Sequence, residues 1–166
     1  VAILNAPPGI IIRDQRTNGF VDGLKKYHPD IRIVADQVAD WSRKKAQDVL
    51  STILAANPNL AGVYGVNDSM ALGAVDVAKE KGLIGKMVIF GNDGEKDALA
   101  SIEAGELTGT QYTDVFQQGR FAAAAATVLT SGLVTAKAFE QQGKLLMPFV
   151  IATKETVGQI QPSQRW

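Results

Sequence analysis

The chain has 166 residues, of which 46% are apolar and 20% are charged, and its 17 basic residues balance 17 acidic ones. This neutral composition gives no electrostatic footprint for nucleic acid or an anionic membrane. The absence of cysteine excludes disulfides, thiolate metal sites and cysteine nucleophiles. Because no run of about 18 apolar residues occurs, the sequence predicts no membrane insertion.

Short apolar segments alternate with amphipathic ones over the first two thirds of the chain. The apolar segments predict strands at residues 1–4, 31–35, 62–64, 87–90 and 107–111. The amphipathic segments predict helices at residues 13–27, 42–56, 69–81 and 96–104. Regular alternation of this kind is typical of βαβ units. The sequence therefore predicts an α/β fold, a doubly wound parallel sheet with helices on both faces.

The pattern changes after Gln111. Residues 114–130 predict a long, alanine-rich helix, and residues 145–152 predict an extended segment. Pro148 interrupts that segment, which favours an edge or hinge strand over a central one. Residues 159–166 have the composition of a polar, poorly ordered tail. The chain opens directly on a core-like strand, so we expect an amino-terminal portion to precede it in the native protein.

Several polar or aromatic residues follow the predicted strands. In an open parallel sheet, ligands bind beyond the carboxyl ends of the strands. The residues expected at this edge are Arg16, Trp41, Asn67, Asp93 and Gln111. Guanidinium, carboxylate and amide groups can bind adjacent hydroxyls, and an indole can cover the C–H face of a sugar ring. This combination favours a small sugar or polyol as ligand.

Each of these residues also has a simpler explanation. Asn67 and Asp93 are of the types that cap helices and form turns, although Ser69 could cap the third helix and leave Asn67 free. Trp41 could be a packing residue, and Arg16 a solvated helix charge. The convergence of five loops on one edge favours the ligand-binding interpretation.

Four segments resemble the periplasmic sugar-binding proteins of the ribose/galactose type, which have the type I periplasmic binding protein fold. The segments are residues 16–20 (RTNGF), 39–43 (ADWSR), 66–74 (VNDSMALGA) and 88–94 (VIFGNDG). The resemblance implies two lobes joined by three strands that close on a sugar. It assigns residues 1–110 to the second lobe, and residues 111–143 to a crossover segment and a helix of a largely absent first lobe. Residues 144–166 would then be a returning hinge strand and a polar tail.

The same resemblance implies roles for the candidate residues. Arg16, Asn67 and Asp93 match the polar sugar ligands of the family. Trp41 takes the place of the aromatic stacking residue, and Gln111 matches a ligand near the hinge. No catalytic residue, cofactor or metal is implied, so the protein is not expected to be an enzyme.

The implied function is that of the solute-binding component of an ABC transporter. It would deliver a sugar or sugar alcohol to a membrane permease, in the periplasm or, in a Gram-positive source, as a lipid-anchored extracellular protein. No nucleic acid partner is expected for this segment. Two alternatives share the fold: the effector-binding domain of a lactose-repressor-type regulator and the ectodomain of a sugar-sensing receptor.

Overall fold

The computed structural model of the chain describes residues 1–132 and 148–166. The strands are β1 (Ala2–Asn5), β2 (Ala35–Val38), β3 (Gly62–Gly65), β4 (Val88–Asp93), β5 (Gly109–Tyr112) and β6 (Val150–Thr153). The helices are α1 (Ile11–Tyr27), α2 (Arg43–Ala56), α3 (Asp68–Glu80), α4 (Lys96–Glu103) and α5 (Val115–Thr130). Two short 3-10 turns, Val157–Gln159 and Pro162–Gln164, follow β6.

The six strands form one sheet in the order β2-β1-β3-β4-β5-β6. The first five pair in parallel, and β6 runs antiparallel to β5. Right-handed crossovers place α2, α3 and α4 on one face of the sheet and α1 on the other. The predicted α/β fold is confirmed. The strand order reverses at β1, so the carboxyl ends of β1 and β3 flank the position where such folds bind ligands.

The core lies between the sheet and the helices α2, α3 and α4. All four residues of β1 and of β3 are buried, as expected for central parallel strands. Among the largest fully buried side chains are Leu4, Leu50, Met70, Ile89 and Leu99. Helices α2 and α3 approach closely because Gly73 has no side chain: a Cβ atom there would lie 2.4 Å from the carbonyl oxygen of Arg43.

The second strand is displaced from its predicted position. It was expected at residues 31–35, but β2 spans Ala35–Val38. Ile31, Ile33 and Val34 lie before the strand and are each more than a third exposed. Among the described strands, β2 is an edge strand that pairs only with β1, so apolar content does not determine where its hydrogen-bonded residues begin.

The segment after β5 agrees in part with the prediction. Strand β6 lies at the edge of the sheet, as Pro148 indicated, while residues 145–147 fall outside the described part of the chain. Helix α5 begins at Val115, and Asp114 caps it by accepting a hydrogen bond from the amide of Gln117 at 2.9 Å. None of the α5 residues is buried.

The prediction of a poorly ordered carboxyl-terminal tail is wrong. The carbonyl of Trp166 accepts a hydrogen bond from the amide of Lys96, and that of Gln164 accepts one from the Tyr112 hydroxyl at 2.9 Å. Arg165 forms an ion pair with Glu103 at 2.8 Å. Backbone carbonyls and one ion pair hold this segment against α4 and β5. The polar composition of the segment therefore did not reveal these contacts.

Candidate functional site

Arg16 and Asp93 form an ion pair at the carboxyl edge of the sheet. Nη2 of Arg16 contacts Oδ1 of Asp93, and Nη1 donates to Oδ2 at 3.3 Å and to the carbonyl of Val66 at 2.8 Å. The side chains are only 18% and 23% exposed. The structure thus brings together two predicted site residues, and one guanidinium joins α1, the turn after β3 and the end of β4.

Asp93 has an unusual backbone conformation. It is the last residue of β4 and has φ = 120°, which is rare for a residue other than glycine. Burial raises the pKa of the Asp93 carboxyl above its ordinary value, and the hydrogen bond and charge of Arg16 oppose that rise. Strained backbone and partial desolvation of this kind cluster at binding sites.

Asp68, the first residue of α3, is fully buried behind Asp93. Its Oδ2 atom accepts hydrogen bonds from the amides of Gly94 at 2.7 Å and Glu95 at 2.8 Å, and its Oδ1 atom accepts one from the Thr110 hydroxyl at 2.6 Å. Burial raises its pKa, and these hydrogen bonds partly offset the rise. Sequence reasoning did not single out Asp68. The repeated Asn-Asp pair at residues 67–68 and 92–93 was the available signal.

Asn67 caps α3, which is the simpler of the two roles considered for it, and Ser69 does not. The Oδ1 atom of Asn67 accepts a hydrogen bond from the amide of Met70 at 3.0 Å, whereas the Ser69 hydroxyl donates to Glu95. The helix begins one residue earlier than predicted because β3 turns sharply into it. A Cβ atom on Gly65 would lie 2.6 Å from the amide nitrogen of Ala71. Capping occupies only the oxygen of the Asn67 amide.

Trp41 lies in the turn between β2 and α2, with its backbone at φ = 58°. The turn is held at the end of β1, because the carbonyl of Asn5 accepts hydrogen bonds from the amides of Ala39 at 2.7 Å and Asp40 at 3.2 Å. The indole is partly buried and packs against the core. Within the described residues, no hydrogen bond joins its side chain to the other four predicted site residues. Its role as a stacking surface stays a prediction.

Gln111 lies within β5, where its Cα pairs with that of Asn92. Its side-chain amide donates to the Thr113 hydroxyl at 2.9 Å. Gln111 and Arg16 both line a groove of about 640 Å³, whereas Trp41, Asn67 and Asp93 do not.

We call this the sheet-face groove, because it lies beside α1 on the sheet face opposite α2, α3 and α4. Its apolar lining residues include Ile12, Phe20, Phe90, Phe149 and Ile151.

One polar group stands out in the sheet-face groove. Asn92 is only 5% exposed and donates through Nδ2 to the Tyr64 hydroxyl at 3.0 Å. Its Oδ1 atom is buried and, among residues 1–132 and 148–166, has no hydrogen-bond partner. Tyr64 stacks on Phe20 of α1, with ring centroids 4.4 Å apart. The sheet-face groove thus combines a mainly apolar surface with one buried side-chain amide.

In the described part of the chain, the histidine lies apart from the acidic residues of the candidate site. His28, the only histidine, lies at the far end of α1 from Arg16, about 18 Å along the helix axis. In the described ranges, no group of three or more His, Cys, Asp or Glu residues could hold a metal ion. No helix in those ranges is long and apolar enough to cross a bilayer.

Residues 1–133 match the family of periplasmic binding protein domains, and the chain belongs to that family. The predicted resemblance to sugar-binding members of the ribose/galactose type is confirmed. One relative is the D-allose-binding periplasmic protein of Escherichia coli, which is 39% identical over 110 residues, 66% of this chain and 35% of that protein. Another is the xylitol-binding protein of Mycolicibacterium smegmatis, which is 31% identical over 95% of this chain and 43% of its own length.

A solved structure shows the same architecture. The periplasmic solute-binding protein of an ABC transporter from Actinobacillus succinogenes, with bound D-allose, superposes with a TM-score of 0.83 and is 32% identical to this chain. The match covers 95% of this chain and 54% of that protein. The chain thus spans about half the length of this structure and less than half the length of the two curated relatives.

Proposed function

We propose that this chain forms part of the solute-binding component of an ABC importer and that it binds a sugar or sugar alcohol non-covalently at the carboxyl edge of its sheet. The observation that carries the proposal is the Arg16–Asp93 ion pair beside the Val66 carbonyl. This pair joins helix α1, the turn after β3 and the end of β4 at the edge where doubly wound sheets bind ligands.

The remaining hydrogen-bonding capacity of the pair suits a polyhydroxylated ligand. A guanidinium has five N–H donors, and three of those of Arg16 are used on Asp93 and Val66. A carboxylate has about four acceptor positions, and Arg16 occupies two of those of Asp93. Among the described residues, two donors of Arg16 and about two acceptor positions of Asp93 are therefore left without a partner. Adjacent sugar hydroxyls each donate one hydrogen bond and accept others, so they can use both kinds of group.

The other predicted residues complete the proposed site. Asn67 follows Val66 directly and would add its amide nitrogen, since capping uses only its oxygen. Trp41 would cover the C–H face of the sugar ring, an arrangement that matches the amphipathic character of both surfaces. Gln111 would add a contact where the sheet-face groove meets the edge.

The second wall of the site would come from another lobe. Helix α5 has no buried residue, and its side chains Phe116 and Phe121 are 47% and 44% exposed. A helix with exposed aromatic residues generally packs against a further surface. This supports assigning residues 111–143 to a crossover into a first lobe, although residues 133–143 lie outside the described part. Closure would follow because the ligand contacts both lobes only in the closed state.

Transport is favoured over gene regulation, chemosensing or catalysis because the similar structure from Actinobacillus succinogenes is the solute-binding protein of an ABC transporter. The two curated relatives described above are likewise binding proteins, for D-allose and for xylitol. We accordingly place this protein in the periplasm, or outside the cell on a lipid anchor, with a membrane permease as its partner.

Isothermal titration calorimetry of the full-length gene product tests the ligand class. D-allose, D-ribose, xylitol and myo-inositol form the first panel, because they sample aldoses and polyols of different stereochemistry. We expect at least one to bind with a stoichiometry near one and a dissociation constant in the micromolar range or below. Absence of heat for the panel and for a wider set of pentoses, hexoses and polyols would refute the proposal.

A further inference from the structure

Asp68 connects three elements behind the proposed site. It belongs to α3, yet its carboxylate accepts its three hydrogen bonds from the turn between β4 and α4, at Gly94 and Glu95, and from Thr110 of β5. It does not cap its own helix, because Asn67 performs that role. The buried carboxylate is therefore directed at the segment that immediately follows Asp93.

That segment has a backbone that needs external support. Asp93 has φ = 120° and Gly94 has φ = 82°, so two consecutive residues lie in the region that favours glycine. A Cβ atom on Gly94 would lie 2.8 Å from the Cα atom of Tyr112, which shows how tightly the turn is pressed against β5. Such conformations persist only where surrounding contacts hold them.

Gly91 of β4 leaves the space that the Asp68 carboxylate occupies. A Cβ atom on Gly91 would lie 2.2 Å from Oδ1 of Asp68, so only glycine allows the carboxylate to reach Thr110 across β4. Two elements of the sequence, Gly91 and Asp68, thus depend on each other to form this contact.

We propose that Asp68 is a positioning residue for ligand binding, which holds the amides of Gly94 and Glu95 and thereby sets the Asp93 carboxylate in place for Arg16 and the ligand. This inference rests on the proposed function of Asp93. Asp68 itself does not touch the ligand, since it is fully buried.

The proposed role requires hydrogen bonds from the side chain at position 68 to its three partners, and it does not require a negative charge. The three donors to Asp68 are two amides and a hydroxyl, and no ion pair involves Asp68 in the described residues. An asparagine could accept both amide hydrogen bonds through Oδ1 and donate through Nδ2 to the Thr110 hydroxyl, which can also accept. We therefore expect Asp68→Asn to retain the geometry of the turn and Asp68→Ala to lose it.

Asp76 supplies a matched control on the same helix. Its carboxylate also accepts three hydrogen bonds, two from Arg43 and one from Gln47, each at 2.7 Å. None of these partners belongs to the turn after Asp93. Asp76→Ala should therefore remove a similar number of hydrogen bonds without affecting the site.

The first measurement is calorimetric titration of the full-length gene product with the tightest-binding member of the sugar panel. The stoichiometry reports the folded fraction, and the dissociation constant reports the geometry of the site in the folded molecules. We expect Asp68→Ala to weaken binding at least about ten-fold at a stoichiometry near one, as for loss of hydrogen bonds to a charged group. Asp68→Asn and Asp76→Ala should stay within about two-fold of the wild type.

The second measurement needs no ligand, so it separates this inference from the ligand proposal. The side-chain NMR signals of Arg16 report its pairing with Asp93 in the free protein. Asp68→Ala should shift them and accelerate hydrogen exchange of the Gly94 and Glu95 amides, whereas Asp76→Ala should do neither. Unchanged Arg16 signals in folded Asp68→Ala would overturn the positioning role even if no sugar bound.

A milder variant covers the case in which Asp68→Ala does not fold. Thr110→Val keeps the shape of the side chain but removes the hydroxyl that orients Oδ1 of Asp68. We expect weaker sugar binding by about three-fold and shifted Arg16 signals, in line with the loss of one hydrogen bond to a carboxylate. A folded Thr110→Val protein with wild-type affinity and wild-type Arg16 signals would contradict the proposal.

Discussion

Arg16 and Asp93 are separated by 77 positions in the sequence, yet their side chains form an ion pair at the carboxyl edge of the sheet. The same guanidinium also donates to the Val66 carbonyl. Arg16, which we propose as a sugar ligand, therefore also joins α1 to the turn after β3 and to the end of β4. Binding and local stability should respond together when this pair is altered.

Removal of Arg16 should affect both properties. In Arg16→Ala the Asp93 carboxylate is left partly buried without its cation, which should lower the free energy of unfolding by about 1–3 kcal/mol. Loss of the two unused donors should also weaken sugar binding about ten-fold or more. Urea unfolding and calorimetry measure the two effects.

Arg13→Ala is the control for that variant. Arg13 lies on the same helix and, within the described residues, pairs only with its neighbour Asp14 at 2.7 Å. Its replacement should leave the affinity unchanged. An equal loss of affinity in both variants would mean that Arg16 acts only through the stability of α1.

Trp41 should report ligand binding directly. The 166-residue sequence has two tryptophans, Trp41 and Trp166. In a Trp166→Phe background, saturation with the bound sugar should change the fluorescence of Trp41, because an indole stacked on a sugar ring loses contact with water. Trp41→Ala should weaken binding about five-fold or more, and Trp41→Phe less. Unaltered emission at saturation would leave Trp41 as a packing residue.

Gly91 offers a test of the close packing behind the site. Gly91→Ala would place a Cβ atom 2.2 Å from Oδ1 of Asp68 and 3.1 Å from Cβ of Ala71. We expect the free energy of unfolding to fall by about 1–3 kcal/mol, as for other overpacked positions. Chemical denaturation measures this loss.

Gly23→Ala is the matched comparison and should raise the free energy of unfolding instead of lowering it. Gly23 lies inside α1, and a Cβ atom there would meet nothing within 4 Å. Alanine is favoured over glycine in a helix by about 0.5–1 kcal/mol, so this variant should be slightly more stable. Equal destabilisation by both substitutions would contradict the packing described around Asp68.

The alternation of strands and helices was predictable because central parallel strands are buried on both faces and are therefore continuously apolar. β1 and β3 illustrate this, and both appear close to their expected positions. β2 was misplaced because its residues are mostly exposed at the edge of the sheet. The docking of Trp166 and Gln164 depends on backbone carbonyls, which carry no signal of residue type.

The site was predictable only in part, because contacts between side chains of distant elements leave no local signal in the sequence. Arg16 and Asp93 could each be expected at the carboxyl edge from the topology of parallel strands. Their direct contact depends on the angle of α1 against the sheet, which local patterns do not encode. Asp68 was not singled out because a buried aspartate at the start of a helix has the same sequence signature as a capping residue.

The pH dependence of stability should reveal the ion pair between Arg43 of α2 and Asp76 of α3. The hydrogen bond from Arg43 lowers the pKa of Asp76 below its ordinary value of 3.8. A lowered pKa stabilises the folded state above the unfolded pKa, and this contribution is lost as the pH falls through the folded value. Because the pair is partly exposed, Asp76→Asn should cost only about 0.5–1 kcal/mol at neutral pH.

Denaturation of the wild type and Asp76→Asn across the acid range measures this linkage. The two stability curves should converge below the pKa of folded Asp76, where the carboxyl of the wild type is protonated and, like the amide of the variant, carries no charge. A difference that persisted undiminished at the acid end would mean that packing, and not charge, accounts for the contribution of Asp76.

The most direct test of the proposed function is a crystal structure of the full-length gene product with its tightest-binding sugar or polyol. We predict ligand hydroxyls within hydrogen-bonding distance of both the Asp93 carboxylate and the Arg16 guanidinium, with a ring face against Trp41. A ligand seated instead in the sheet-face groove against Phe90 and Ile151, with Asp93 untouched, would contradict the account.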